Sequence, residues 1–304
     1  MCYHSFFESI VQCLFETVEI KATREHILGT TMTENSPLRL AVAGLGAIGY
    51  RVAQAVDRGD VEGVQLIAVS ANDKERAAKR VASFGKPPAV LTLAELAEVA
   101  DVIVECAPAA VFPELATASI RKGRCLMPLS VGVLLNHIEL IDQAKETGAK
   151  IIVPTGALIG LDTVRAMAVG TIHSVTLQTR KPPNGLAGAP HLIDNEIDIS
   201  NLSEPLCVLK GSARDAARGF PANVNVAAAL ALAGIGPDKT QVEVWADPTI
   251  DRNIQSVTIV SDSGEATMTM NNIPSDENPR TGRIVANSVI AALKRMTSPM
   301  VAGT

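Results

Sequence analysis

The chain has 304 residues, of which 47% are hydrophobic but only 3% aromatic, and it carries a formal charge of −5 at neutral pH. That length allows two buried cores, and cores of Ala, Val, Leu and Ile suit helices packed on a parallel sheet covered on both faces. The acidic balance, with no block of like charge, excludes a nucleic-acid partner, which needs a clustered basic face. No run approaches the roughly 18–20 apolar residues of a membrane span, which excludes a membrane partner.

Cys2, Cys13, Cys106, Cys125 and Cys207 are scattered, with no CxxC and no metal-like pairing with histidines. That argues against a metal site and fits a reducing, cytoplasmic setting. Residues 1–37 read as an N-terminal extension. Its short amphipathic run (Phe6, Phe7, Ile10, Val11, Leu14, Phe15) is broken by Glu8, Glu16 and Glu19 and lacks the cationic start of a signal peptide. Met32, followed by Thr-Glu-Asn-Ser-Pro and then a strand, reads as an ordinary bacterial start. Residues 1–31 are then an artefact of start-site choice; a docking helix is the alternative.

The informative pattern begins with an apolar strand, Leu38–Ala43, that runs into Gly44-Leu45-Gly46-Ala47-Ile48-Gly49 and then a helix with Val52, Ala53 and Val56 on one face. G-x-G-x-x-G between a strand and a helix is the dinucleotide-binding arrangement. Gly44 makes the tight turn, Gly46 admits the pyrophosphate to the backbone, and Gly49 lets the helix sit close on the sheet. Phosphate charge then rests on the helix N-terminus. Gly44, Gly46, Ala47, Ile48 and Gly49 are therefore candidate cofactor contacts, for NAD or NADP. A second strand, Val64–Ser70, ends in Ser70-Ala71-Asn72-Asp73-Lys74. The acid that usually reads the adenosine ribose there is absent or displaced to Asp73. Ser70 and Asn72 suit either ribose, Lys74 or Arg76 suits a 2′-phosphate, and Asn72 or Asp73 also reads as a plain helix cap. The choice between NAD and NADP stays open.

Thr92 and Glu95 form a capping box before a short helix. The buried strand Ala100–Glu105 then ends in a small-residue turn, so Cys106, Ala107 and Pro108 are expected to line the cofactor cleft. Cys106 reads as a packed thiol rather than a nucleophile, because no histidine stands near it in sequence. A helix (Val111–Lys122), a strand (Cys125–Ser130), a helix (Ile138–Thr147) and a last strand (Ile151–Val153) follow.

After Gly160 the regular alternation stops. His173–Thr179 alternates as a strand and leads into Arg180-Lys181-Pro182-Pro183, read as a cationic turn that suits a carboxylate or, equally, as a solvated loop. Ser212–Arg218 is helical, and Pro221-Ala-Asn223-Val-Asn225 opens an Ala-rich helix through Ala233, with Asn223 as its cap and Asn225 where amides of a cofactor or substrate are read. Gln241–Ala246, Ile254–Val260 and Glu265–Asn271 are strand-like, and Arg283–Arg295 is an amphipathic helix. The pattern predicts an α/β fold: a doubly wound parallel Rossmann sheet over 38–154, a smaller α/β mixed-sheet domain over 155–277, and a C-terminal helical segment, 278–304, returning to the first domain.

Taken together, Gly44–Gly49, Pro154-Thr-Gly-Ala-Leu-Ile-Gly-Leu-Asp162, Thr179-Arg-Lys-Pro-Pro183, Phe220-Pro-Ala-Asn-Val-Asn-Val-Ala-Ala228, Asp247-Pro248, Arg252-Asn253 and Glu277-Asn-Pro-Arg-Thr281 resemble the L-aspartate dehydrogenase family, in order, from residue 38 to about 296. The resemblance implies a Rossmann domain plus a smaller domain for catalysis and dimerisation, similar to those of dihydrodipicolinate reductase and homoserine dehydrogenase. It implies a cytoplasmic homodimer that oxidises L-aspartate, a small dicarboxylic amino acid, to iminoaspartate with NAD or NADP. The imine then hydrolyses to oxaloacetate and ammonia or serves NAD biosynthesis. It further implies that Asn225 and the 155–159 loop, through Ala157 and Ile159, contact the cofactor, that Arg180 and Lys181 bind the substrate carboxylates, and that Asn253 belongs to the catalytic group. The family usually reads Arg-Asn-x-His, its histidine being the presumed acid/base. This chain has Arg252-Asn253-Ile254-Gln255, and glutamine exchanges no proton near neutral pH. A dehydrogenase of the same fold with another substrate, and a catalytically weak dinucleotide-binding paralogue, are the alternatives that Gln255 opens.

Overall fold

The computed structural model describes residues 36–221, 224–275, 277–278 and 281–303. The extension through residue 35, and Asn223, expected above to cap a helix, lie outside the described residues.

The first half alternates strand and helix, with two helices before the last strand: β1 (Leu38–Ala43), α1 (Ala47–Asp57), β2 (Val64–Ser70), α2 (Lys74–Val81), β3 (Ala89–Val90), α3 (Leu93–Val99), β4 (Val102–Glu105), α4 (Phe112–Arg121), β5 (Cys125–Pro128), α5 (Val131–Leu134), α6 (Glu139–Thr147) and β6 (Lys150–Ile151). All six strands are parallel in the order β3-β2-β1-β4-β5-β6. This is the Rossmann order, with its crevice where β1 and β4 diverge. Strand pleating divides β1 between two cores. Leu40 and Val42 pack with Val52, Val56 and Val104, while Ala41 and Ala43 pack with Leu96, Ile103, Phe112 and Leu115. Each fully buried Leu or Phe of these layers contributes about 1.5–3 kcal/mol. The capping box forms, with Thr92 Oγ1 accepting from Glu95 N and Glu95 Oε2 accepting from Thr92 N at 2.8 Å.

The second half builds α7 (Leu161–Met167), β7 (Ile172–Lys181), α8 (Pro190–Asp194), β8 (Leu206–Ser212), α9 (Ala213–Gly219), α10 (Asn225–Ala233), β9 (Gln241–Ala246), β10 (Ile254–Ser261), β11 (Gly264–Asn271) and α11 (Ile284–Thr297). Its mixed sheet runs β11-β10-β7-β9-β8, parallel only between β7 and β9. One face buries Val175, Leu177, Val244 and Val257 against Val164, Ala216 and Leu230 of the helices. The opposite face is half-exposed along Thr176, Gln178 and Trp245. Helix α11 places Ala286, Val289 and Leu293 in the core around β1 and α1.

Three local expectations need correction. Arg180 and Lys181 do not form a turn: they end β7, because Arg180 pairs with Ile254 of β10 and with Trp245 of β9, and Lys181 pairs with Ala246. Strand β5 stops at Pro128 rather than Ser130: Leu129 N is shared between the Glu105 carbonyl at 3.1 Å and its carboxylate, and Ser130 N is drawn to the carboxylate at 2.9 Å. Strand β6 covers Lys150–Ile151, not Ile151–Val153.

Candidate active site

The turn after β1 is built around its glycines. Gly44 has φ +91°, a left-handed conformation costly for any other residue, and a Cβ there would lie 2.5 Å from the Cys106 carbonyl oxygen. A Cβ on buried Gly49 would collide with the Gly44 carbonyl. Gly46 is different: it is exposed, its φ of −69° suits any residue, and nothing lies within 4 Å of where its Cβ would be. The fold therefore does not need glycine there, whereas an approaching ligand would. Gly46 caps α1 with no side-chain acceptor, and the first turn, which includes Ala47 and Ile48, holds no acid. Its N–H groups and dipole are left for an anion. These residues fit the pyrophosphate of a dinucleotide.

Arg80 of α2 braces this turn from beyond the crevice, a contact with no signal in the sequence. Its guanidinium donates to the Leu45 carbonyl at 2.6 Å, lies 4.1 Å from the Tyr50 ring centroid and pairs with Glu277 at 3.5 Å. At the end of β2, Ser70 is buried and its carbonyl accepts from Gly44 N at 2.7 Å, while Asn72 is exposed. Asp73 Oδ1 accepts from Arg76 N at 2.9 Å, so this acid caps α2. Asp73→Ala is accordingly expected to cost about 1 kcal/mol of stability and to leave the ratio of NAD to NADP affinity unchanged. Thermal melts and cofactor titrations check this, and a changed ratio would assign Asp73 to the ribose instead.

On the other side of the crevice Cys106 and Ala107 are half-buried and Pro108 exposed. Burial pushes the Cys106 thiol well above its usual range, as it should for a packing residue. Beneath this turn Glu105 is fully buried. Its carboxylate accepts from Ala107 N at 3.0 Å, Leu129 N at 3.2 Å, Ser130 N at 2.9 Å and Ser130 Oγ at 3.0 Å. Burial raises the carboxyl above the usual range, and the bonds from Ser130, Ala107 and Leu129 offset part of that rise.

Where the two sheets meet, a cavity of about 170 Å³ is lined on one side by Ile48, Leu129, Val131 and the 154–157 segment, and on the other by Lys181, Asn225, Asn253, Gln255 and Asn272. Drug-sized ligands occupy roughly 300 Å³ or more, so this space suits a small metabolite. Among the described residues, three buried side-chain oxygens lack a hydrogen-bond partner: Thr179 Oγ1, Gln255 Oε1 and Asn272 Oδ1. Gln255 stands opposite Thr179 in the β7–β10 ladder, and both Gln255 and Asn272 line the cavity. Buried polar atoms are nearly always satisfied, so this cluster is where a polar ligand gains most. Asn225 braces the opposite wall, its Oδ1 accepting from Gly132 N at 2.9 Å. Asn272 Nδ2 donates to the Ala157 carbonyl at 3.1 Å.

The structure thus gathers Ile48, Ala157, Lys181, Asn225, Asn253 and Gln255 around one cavity, with the glycine turn beside it; Ile159 is not among its lining residues. Arg180 and Lys181 part company, since adjacent strand residues point to opposite faces. Arg180 pairs with buried Asp247 at 3.1 Å and lies 4.8 Å from the Trp245 ring centroid, on the face away from the helices. Of the two, Lys181 alone faces the cavity. Thr179, Asn272 and Glu105 escaped the sequence reading. Glu105 left a trace there as an acid ending an apolar strand, and Thr179 as the last residue of an alternating one.

Residues 162–296 match the family described as "Aspartate dehydrogenase, C-terminal", and residues 44–154 match "Homoserine dehydrogenase, NAD binding domain". The chain is 51% identical over 273 residues to L-aspartate dehydrogenase 3 of Bordetella bronchiseptica, covering 90% of this chain and 100% of that one. It is 48% identical over 275 residues to L-aspartate dehydrogenase of Bradyrhizobium diazoefficiens, covering 90% and 97%. In fold it is similar to aspartate dehydrogenase from Thermotoga maritima, with a TM-score of 0.67 at 21% identity over 88% of this chain and 99% of that one. The chain belongs to the aspartate dehydrogenase family, and it is an oxidoreductase whose cofactor is NAD or NADP.

Proposed function

We propose that the protein oxidises L-aspartate at its Cα–N bond to iminoaspartate. One observation carries the reading: a small cavity walled by carboxamides and a buried lysine opens beside an uncapped helix N-terminus at the carboxyl end of a Rossmann sheet. Relatives named L-aspartate dehydrogenase at 48–51% identity support the substrate. Gly46 and the N-terminus of α1 would hold the pyrophosphate of NAD or NADP, and Cys106, Ala107 and Pro108 would line its reactive end; the cofactor, when bound, would supply the hydride acceptor. The protein's own part is positioning. Asn253, Gln255 and Asn272 orient the substrate's polar groups, Asn225 faces the cofactor, and fixing Cα against the acceptor recovers much of the barrier. Family resemblance extends the reading to a cytoplasmic homodimer whose imine hydrolyses to oxaloacetate and ammonia or feeds NAD synthesis.

Purified protein supplied with L-aspartate and either cofactor is expected to show aspartate-dependent growth of reduced-nicotinamide absorbance. Turnover of another amino acid in place of aspartate would mean a different substrate. Cofactor binding without any turnover would make the chain a catalytically weak paralogue.

A further inference from the structure

Among the described residues lining the cavity, Lys181 is the only one with an ionisable side chain. His137, His173 and His191 lie elsewhere, and Gln255 exchanges no proton near neutral pH. Oxidising an amine to an imine nevertheless requires a proton to leave the nitrogen, because an ammonium has no lone pair with which to form the C=N bond. We propose that Lys181 is a catalytic residue of this oxidation, its Nζ accepting the proton of the substrate's α-ammonium. The proposal rests on the amino-acid dehydrogenase reading given above.

The step balances. The neutral amine of Lys181 takes one proton, leaving the substrate a neutral amine. The Cα–H bond then breaks with both electrons passing to the oxidised cofactor, and the nitrogen lone pair closes the C=N bond. The substrate loses one hydride and the cofactor gains it, and Lys181 returns its proton to solvent before the next turnover. Lys181 thus meets the substrate through its nitrogen, and not through a carboxylate as the sequence suggested.

The surroundings keep Lys181 suited to this. Only 7% of the residue is exposed, and burial lowers its pKa to about 8. About one in ten would then be neutral at pH 7, against fewer than about one in a thousand for an ordinary lysine near 10.4. On its own strand, Arg180 points to the opposite face and pairs with Asp247. Asp247, just beyond β9, donates its N–H to the Lys181 carbonyl at 2.8 Å, while its carboxylate is held by Arg180 and by Thr249 N and Oγ1. In the β9–β10 connection Asp251 and Arg252 pair with each other at 2.6 Å. Among the described residues, β10 offers the cavity Asn253 and Gln255, α10 offers Asn225 and Val226, and the segment after β11 offers Asn272 and Thr281, all uncharged. In that segment Glu277 pairs with Arg80, and Arg283 donates to the Pro274 carbonyl.

The test compares wild type, Lys181→Met, Lys181→Arg and the double variant Lys181→Met with Gln255→His, each first shown to bind cofactor with wild-type affinity. Wild-type kcat/KM for L-aspartate is expected to rise with pH through about 8. Both single variants should lose about 10²–10⁴ in kcat and lose that limb, since arginine keeps the charge but accepts no proton. The double variant should recover part of the rate with its limb moved to about 6.5, the range of histidine. Independently of turnover, the Lys181 Cε resonance, assigned by its loss in Lys181→Arg, should titrate near 8. The proposal is overturned if Lys181→Arg keeps kcat and raises only KM, which would mark a carboxylate-binding cation. It is equally overturned if the limb persists in Lys181→Met, or if the resonance titrates near 10.4. A wild type that turns over no amino acid overturns the functional reading itself, and is told apart because no variant is then needed.

Discussion

Gly46→Glu is expected to abolish dinucleotide binding while leaving the fold intact, a combination that few substitutions at a glycine would give. Backbone strain is absent, since φ is −69° and ψ −168°, and a Cβ would meet nothing within 4 Å. A carboxylate at the N-terminus of α1 should even add about 0.3–1 kcal/mol by facing the positive end of the helix dipole. The same carboxylate fills the space meant for a phosphate and repels it. The expected loss in affinity for both NAD and NADP is at least about a hundredfold, or about 2.8 kcal/mol, read by calorimetric titration. The melting temperature is expected to hold or rise slightly. Unchanged affinity would remove the pyrophosphate from this turn, and a melt lowered by several degrees would show that Gly46 serves the fold instead.

The Rossmann half was readable because its signals are local. Apolar runs buried on both faces, punctuated by a glycine turn and a capping box, each lie within a dozen residues, and the structure reproduces α3 and the cap of Thr92 and Glu95 as expected. The second half was read less well for reasons that are also physical. β8 escaped notice because a register shift between Cys207 and Leu209 breaks its alternation. Arg180 and Lys181 looked like loop because Pro182 and Pro183 follow, yet ladder partners on both sides carry the strand to the prolines. The site itself is a product of register. Gln255 meets Thr179, and Asn272 reaches Ala157 across 115 residues, through pairings that no local pattern encodes. Resemblance to a family could point to position 255, but only the cavity shows that its neighbours are an orphaned hydroxyl, an orphaned carboxamide oxygen and a buried lysine.

Glu105→Ala is expected to be the most destabilising of the single changes considered, and to loosen both turns that frame the crevice. The lost carboxylate leaves the N–H groups of Ala107 and Ser130 and the Ser130 hydroxyl without an acceptor, while Leu129 N keeps the backbone carbonyl of position 105 at 3.1 Å. One orphaned buried donor costs about 1–3 kcal/mol. Water entering the vacated space would satisfy some of them, so a net loss of about 2–4 kcal/mol is the expected scale, a fall in Tm of roughly 5–12 °C for a chain this long. Glu105→Gln should fall between, since one carbonyl oxygen still accepts while the new NH₂ faces donors. The pH dependence has a definite sign. Burial raises the folded-state pKa of Glu105 above its unfolded value, so its contribution is fully present below the ordinary range near 4.3 and declines as pH rises through the raised value. The stability gap between wild type and Glu105→Gln should therefore be widest in acid and narrow toward neutral pH. Because the two turns are tied through this one carboxylate, cofactor affinity should weaken in step with stability across the two variants. Denaturation curves at several pH values, with cofactor titrations on the same samples, measure both. A Glu105→Ala protein that melts like wild type and binds cofactor as tightly would show that water replaces the carboxylate without loss.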